Sequence, residues 1–272
     1  MNSFQTIASP QGKGIQFFKE ICYNSDNFAG QGGLTTATSR LDKFLCDLGI
    51  ATRREARELI RRGRVAVDGV TVKEPDKHVE VQTARVTLDG EALVWKKNHY
   101  YMMNKPAGVL SATEDARQKT VLDLLPEQLR GLDLFCVGRL DCDTTGLLLL
   151  TDDGEFAHRV ISPKFAVEKM YDASVEGVPD EADVEAFARG LELRDGTKCR
   201  PAKLEITGQS RCFVTVTEGK YHQVKRMLAS RGKSVTALKR LSIGALKLPE
   251  DLPEGSVREL TEEDLCRVFM VR

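Results

Sequence analysis

The segment Phe135-Cys-Val-Gly-Arg-Leu-Asp-Cys-Asp-Thr-Thr-Gly-Leu-Leu-Leu-Leu-Thr151 limits the fold more than any other part of the chain. Its Gly-Leu-Leu-Leu-Leu run at 146–150 shows no polar alternation, which reads as a strand buried on both faces. Directly before it stand Arg139, Asp141, Asp143, Thr144 and Thr145, with Gly138 and Gly146 allowing tight backbone at the two ends. A charged loop wedged between apolar strands is costly unless its carboxylates are paired. Arg139 is the nearest candidate partner for Asp141. The segment is therefore either a surface turn with a local ion pair or a functional loop anchored on a core.

The rest of the C-terminal part reads as mixed α and β structure. Strand signals fall at 99–103, 134–137, 146–151, 170–176 and 212–217. Helix signals fall at 120–125, 180–189, 221–231 and 262–269. Asp180 with Asp183 and Thr261 with Asp264 are start signals, and Gly190 and Gly232 are stops. No regular βαβ alternation runs through these elements, so the expected class is α+β, with a mainly antiparallel or mixed sheet flanked by helices.

A chain of 272 residues suits two compact domains, and a junction is expected at Lys96-Lys97-Asn98. Residues 39–97 then form a small N-terminal domain and 98–272 the larger one. Ser39 with Asp42 opens a capping-box pattern ahead of Leu41, Phe44, Leu45 and Leu48, and Gly49 closes that helix. Thr52 with Glu55 opens a second helix, with Ala56, Leu59 and Ile60 on its apolar face and Gly63 at its end. Val65 to Val72 reads as a hairpin turning at Asp68-Gly69, and Asp89-Gly90 marks another. Residues 1–38, rich in Gly, Ser, Thr, Gln and Asn, read as a flexible extension with a short helix near Phe17 and Phe18, not as a secretory or transit segment.

Composition excludes several classes. No apolar run approaches the roughly 20 residues that span a bilayer, so no membrane association is expected. The seven Cys are scattered without zinc spacing, which suits free thiols in a reducing cytoplasm, with no metal. Net charge is zero, yet its distribution is uneven. Arg53, Arg54, Arg57, Arg61, Arg62 and Arg64 crowd one helix against two Glu, and Lys220, Lys225, Arg226, Arg231, Lys233, Lys239 and Arg240 form a second cluster. Arg53, Arg57, Arg61 and Arg64 recur at helical spacing as a guanidinium stripe. Local fields govern phosphate contacts, so a neutral total does not exclude nucleic acid.

Four stretches stand together in order: Asn104-Lys-Pro-Ala-Gly108, Gly138-Arg-Leu-Asp141 running into Thr144–Thr151, Lys169-Met-Tyr171, and Glu218-Gly-Lys-Tyr-His-Gln-Val-Lys-Arg-Met227. Together they resemble the RsuA-type family of ribosomal RNA pseudouridine synthases. Ser39-Arg-Leu-Asp-Lys-Phe44 through the hairpin resembles the S4 RNA-binding domain that precedes the catalytic domain in that family. The resemblance covers about 39–272. It implies isomerisation of uridine to pseudouridine in ribosomal RNA, without a cofactor.

The resemblance makes Asp141 the essential carboxylate. Uracil leaves C1′ as a resonance-stabilised anion, so one carboxylate suffices where glycosidases need two, and Asp143 is expected to be structural. Covalent attack by Asp141 and proton removal from the sugar both remain open. By the same resemblance Tyr171 stacks on uracil and helps remove the C5 proton, although its spacing with Ala173 and Val175 also suits plain core packing. Lys225 matches the basic partner of the aspartate, a position where many relatives carry Arg, which grips a carboxylate bidentately as Lys cannot. Val224 supplies an apolar wall for the base, and Arg139 steadies Asp141 or fills the gap left by a flipped nucleotide. Lys105 is either a solvated turn lysine or support near the site. His158 and His222 show no partners that argue for acid–base duty. The Tyr-His-Gln pattern at 221–223 matches the small-subunit enzymes, which favours small-subunit over large-subunit RNA. Arg53, Arg54, Arg57 and Arg61 are expected to grip phosphates, giving register rather than sequence readout. The expected partner is ribosomal RNA or a pre-ribosomal small-subunit particle, met by a cytoplasmic monomer.

Two rival readings compete. A non-catalytic S4-type RNA-binding protein would retain the fold without the chemistry. Asp141-Cys-Asp143-Thr-Thr145 also matches the D-x-D-x-T of magnesium-dependent phosphohydrolases, but that motif ends a strand and precedes a helix, whereas an apolar strand follows here.

Overall fold

A computed structural model describes residues 38–81, 83–93, 96 and 98–271. The extension before residue 38 and its expected helix, like Lys97 of the expected junction, lie outside the described residues.

The N-terminal unit runs β1 (Thr38–Arg40), α1 (Leu41–Asp47), α2 (Arg53–Arg61), β2 (Val65–Val67), β3 (Val70–Thr71), β4 (His78–Glu80), β5 (Val86–Leu88) and β6 (Glu91–Ala92). Its core is its own: Leu41, Phe44 and Leu45 pack on Ala56, Ile60, Val65 and Val86. Helix α2 starts at the expected capping box, with Thr52 and Glu55 each bonding the other's backbone. Both hairpin turns place an Asp and a Gly at positive φ (Asp68 52°, Gly69 81°; Asp89 52°, Gly90 89°), as two-residue turns of the I′ kind require. The first helix corrects the expectation. Ser39 is not its cap, because Thr38–Arg40 pairs as a strand with His78–Glu80, and the capping position passes to Arg40 without a side-chain bond. A strand partner some 40 residues away in sequence overrode the local signal.

Asp42, expected to serve that cap, is instead buried beneath the helix pair. It accepts hydrogen bonds from Arg40 (Nε 3.1 Å, Nη2 2.9 Å) and from Arg57 Nε (2.9 Å). Burial pushes this carboxyl up, but the two guanidiniums outweigh it and hold the group below the usual carboxylate range.

The larger unit contains β7 (Tyr100–Lys105), β8 (Phe135–Cys136), β9 (Thr145–Thr151), α3 (Gly154–Ile161), β10 (Lys169–Val175), α4 (Glu181–Arg189), β11 (Lys203–Gly208), β12 (Arg211–Val216), α5 (Gln223–Ser230), β13 (Val235–Ile243), β14 (Leu246–Lys247), β15 (Val257–Glu259) and α6 (Glu262–Val268). Its strands form one mixed sheet in the order β11-β12-β10-β13-β9-β7-β15, with β14 beside β13 and β8 beside β9. Every pairing is antiparallel except β9 with β13. Leu147 and Leu149 enter one apolar cluster with Met102, while Leu148 and Leu150 enter another with Tyr101 and Met103. Alternate residues of the leucine run thus feed cores on opposite faces, which is why the run carries no polar alternation.

The capping boxes at Asp180/Asp183 and Thr261/Asp264 form as expected. The helix expected at 120–125 is a single 3₁₀ turn, Leu122–Leu124, because Pro126 holds the residue before it, Leu125, in extended backbone; a second turn, Glu127–Leu129, follows. Helix α3 and strands β11 and β13 were not anticipated. Asp153 caps α3 by accepting from the amides of Glu155 and Phe156.

Candidate active site

Lys105 is the hinge of the site's construction. Its side chain is wholly buried, and its ammonium donates to the carbonyls of Pro106 (3.0 Å), Cys142 (3.2 Å) and Thr144 (3.0 Å). The amide of Gly108 donates to the Cys142 carbonyl at 2.8 Å, and Ser111 exchanges hydrogen bonds with the backbone of Leu140. The Asn-Lys-Pro-Ala-Gly stretch therefore clamps the loop that carries Asp141. Of the two readings of Lys105, burial and three carbonyl acceptors exclude the solvated turn lysine and leave a support behind the loop, out of reach of direct substrate binding.

Asp141 emerges from that loop, and its carboxylate is met from α5. Lys225 Nζ lies 3.5 Å from Oδ2, and His222 Nε2 lies 3.3 Å from Oδ1. Lys225 also donates to Asp143 Oδ1 at 2.5 Å, and this hydrogen bond is the main reason the Asp143 carboxyl titrates below its usual range. Asp143 is thus a surface clamp on Lys225, largely exposed itself. Lys225 meets Asp141 as the resemblance implied, but two expectations change: Arg139, the nearest candidate partner in sequence, is exposed at the rim, and His222 stands at the carboxylate in its place. His222, set aside in the sequence, faces the carboxylate directly.

His222 reaches that position by an unusual backbone. Its φ of 46° and ψ of 36° place a non-glycine residue in the left-handed region, a conformation that surrounding structure must hold. Glu218 supplies the hold: buried, it accepts from Arg200 N (2.9 Å) and Gln223 Nε2 (2.8 Å), while Gln223 Oε1 accepts from Lys220 N (3.0 Å). The exposed ring of Tyr221 stacks on the His222 imidazole with centroids 3.9 Å apart.

Tyr171 and Arg240 face each other across the β10–β13 pairing, so their side chains share one side of the sheet. Arg240 Nη1 lies 3.4 Å from the Tyr171 hydroxyl, and Arg240 Nε donates to the Leu147 carbonyl at 2.7 Å. Next door, Gly146 sits opposite Arg240 with φ of 100°; a Cβ there would fall 2.3 Å from the Arg240 carbonyl oxygen. The close β9–β13 approach needs glycine at this point.

Tyr171, Arg240 and His222 line one cleft of about 110 Å³, together with Arg139, Asp141, Val224, Lys225, Lys169 and Glu218. That is small beside the roughly 300–1,000 Å³ of drug-sized ligand sites and suits a single flat ring. Of the expected site residues, Asp141, Tyr171, Lys225, Arg139 and Val224 meet here, whereas Arg53, Arg54, Arg57 and Arg61 lie on α2, outside the cleft lining. Arg240 was missed as a site residue, because it was read as one member of a surface basic cluster. Much of that cluster is internally paired: Arg226 with Asp195, Arg231 and Lys233 with buried Asp183, and Lys220 with Glu218.

Comparison with known proteins assigns both units of the chain to known families. The RNA pseudouridylate synthase family matches residues 99–230, and the S4 domain family matches 39–83. The ribosomal small subunit pseudouridine synthase A of Vibrio cholerae is 44% identical over 85% of this chain and 99% of its own length. The Escherichia coli protein of that name is 41% identical over 84% and 99%. An uncharacterized RNA pseudouridine synthase of Bacillus subtilis is 46% identical over 83% of this chain and 96% of its own. A crystal structure of a pseudouridylate synthase, 38% identical, superimposes with a TM-score of 0.60 over 84% of this chain and 99% of that one. The chain belongs to the RsuA-type family of RNA pseudouridine synthases, an S4 domain followed by the synthase domain.

Proposed function

We propose that the protein isomerises a uridine of small-subunit ribosomal RNA to pseudouridine, with Asp141 acting on the ribose and the base held in the Tyr171 cleft. The observation that carries this reading is the convergence of Asp141, Lys225 and Tyr171, from three separate sequence stretches, on one cleft the size of a flat ring. The small-subunit assignment rests on the relatives of that name and on the Tyr-His-Gln pattern at 221–223.

The target nucleotide swings out of its stack into the cleft, at a cost lowest where the RNA is already a loop. Lys225 and His222 hold the Asp141 carboxylate toward C1′. The N1–C1′ bond breaks with its electron pair going to the base, the uracil turns against Tyr171 and Val224, and C5 takes the place of N1. One proton leaves C5 and one arrives at N1, so nothing is added or removed overall. The protein works as a monomer in the cytoplasm on ribosomal RNA or an assembling particle.

The test is pseudouridine formation on small-subunit RNA fragments and assembled particles with wild type and Asp141→Asn. Wild type is expected to convert one uridine, and the variant to lose turnover by several orders of magnitude while binding RNA with unchanged affinity. An active Asp141→Asn variant, or a wild type that converts no uridine on either substrate, ends the proposal.

A further inference from the structure

Four buried side-chain polar atoms among the described residues have no hydrogen-bond partner: Asn104 Oδ1, Thr144 Oγ1, Arg240 Nη2 and Arg258 Nε. Two belong to residues of the cleft, Thr144 and Arg240. Thr144 offers a neutral hydroxyl. Arg240 offers a charged guanidinium that is 3% exposed, and a cation buried with an idle donor is a costly arrangement unless a ligand completes it.

Arg139 stands exposed at the rim, and the lysines of the cleft are already engaged. Lys225 is taken by Asp143 and Asp141, and Lys220 by Glu218. Lys169 donates to the carbonyls of Val160 (3.0 Å) and Val167 (2.8 Å). Arg240, which lines the same cleft, is the buried cation there with an unspent donor, Nη2, and its other two nitrogens are fixed by Leu147 and Tyr171. The strand pairing that sets it opposite Tyr171, and the glycine that lets β9 close on its backbone, aim the group before any RNA arrives.

The reaction has a need that fits. When N1–C1′ breaks heterolytically, the electron pair spreads from N1 onto the two exocyclic oxygens of uracil. Asp141, itself an anion, cannot stabilise that charge. We propose that Arg240 is a further catalytic residue, whose Nη2 donates to an exocyclic oxygen of the target uracil and steadies the detached base as an anion while it turns. Nη1 meanwhile holds the Tyr171 phenol against the ring. The step balances within the nucleotide, since the pair lost by C1′ stays on the base until C5 returns it to C1′ as the new bond. This inference rests on the isomerase reading above.

The experiment compares wild type, Arg240→Gln and Arg240→Lys under single turnover, on RNA carrying either uridine or 5-fluorouridine at the target. Fluorine makes uracil a better-stabilised anion, so less help is needed from the protein. Loss of the N-glycoside is followed on both RNAs, with RNA affinity and thermal melting measured in parallel. Removing one preorganised donor typically slows chemistry by roughly 100-fold or more, and a loss of that order is expected on uridine in both variants, with RNA affinity unchanged. The loss should shrink clearly on 5-fluorouridine. Equal losses on the two RNAs, a defect in affinity alone, or failure of both variants to melt cooperatively would each overturn the assignment by making Arg240 structural. An inactive wild type would instead indict the isomerase reading itself.

Discussion

Lys169 and Lys105 illustrate how single residues here are bent away from their ordinary chemistry. Each ammonium is folded under the cleft and spends its protons on backbone carbonyls. Burial pushes both below the usual lysine value; for Lys169, burial first and the nearby Arg240 charge second bring it to about 8. An unfolded lysine titrates near 10.5, so between about pH 8 and 10.5 the unfolded chain binds more protons than the folded one. Stability must therefore rise with pH across that window, by on the order of 3 kcal/mol for this group. Below pH 8 both states hold the proton and the burial penalty is paid in full. Lys169→Met has no such group, so the stability of wild type relative to the variant should improve from pH 7.5 to 10, measured by urea unfolding. Parallel pH curves for the two proteins would show that Lys169 is not depressed.

At the scale of elements, what could be read from the sequence was what is decided locally. The capping boxes at Thr52, Asp180 and Thr261 and the turns at Asp68-Gly69 and Asp89-Gly90 depend on residues within four of one another. The leucine run announced a strand with both faces covered. Ser39 failed as a cap because its competitor, the strand at 78–80, is remote in sequence. Strand β13 escaped because Lys239 and Arg240 interrupt its apolar pattern, and Arg240 is inside only because Gly146 lets β9 lie against it. For the same reason the Arg240–Tyr171 contact and the His222–Asp141 pair, both made between separate elements, left no mark in the sequence, while Asp141 itself was legible through its motif. The β9–β13 contact yields a sharp expectation. Gly146→Ala forces a Cβ onto the Arg240 backbone at a positive φ, neither of which a flexible side chain can relieve. The variant should lose about 3 kcal/mol or more in denaturant unfolding, and whatever remains folded should lose activity along with the Arg240 geometry. A melting temperature equal to wild type would mean that the two strands are further apart than described.

For the molecule as a whole, the proposed function asks two surfaces to engage one RNA with separate tasks. On that proposal the cleft carries the chemistry and α2 the grip, but the arginines at 53–64 are not the uniform stripe that their spacing suggested. Arg57 is spent on buried Asp42, Arg62 on Glu58, and Arg64 on Asp89, so partners came from outside the helix as well as from its own glutamates. Arg53, Arg54 and Arg61 are exposed and belong to none of these ion pairs. Counterion release gives a slope of about 0.7–0.9 log units of affinity per phosphate contact for each log unit of salt. Replacing Arg53, Arg54 and Arg61 together by Ala should therefore flatten the salt dependence of RNA binding by about two, raise KM, and leave kcat on saturating RNA unchanged. Arg57→Ala should behave differently, costing stability because buried Asp42 keeps Arg40 but loses one of its two guanidinium partners, while barely moving the salt slope. Filter-binding titrations from low to moderate salt, paired with single-turnover rates, separate the two outcomes. If the triple variant kept its slope and Arg57→Ala lost it, the RNA would be held by the face of α2 that packs toward Asp42, and the division of labour drawn here between grip and chemistry would have to be redrawn around that face.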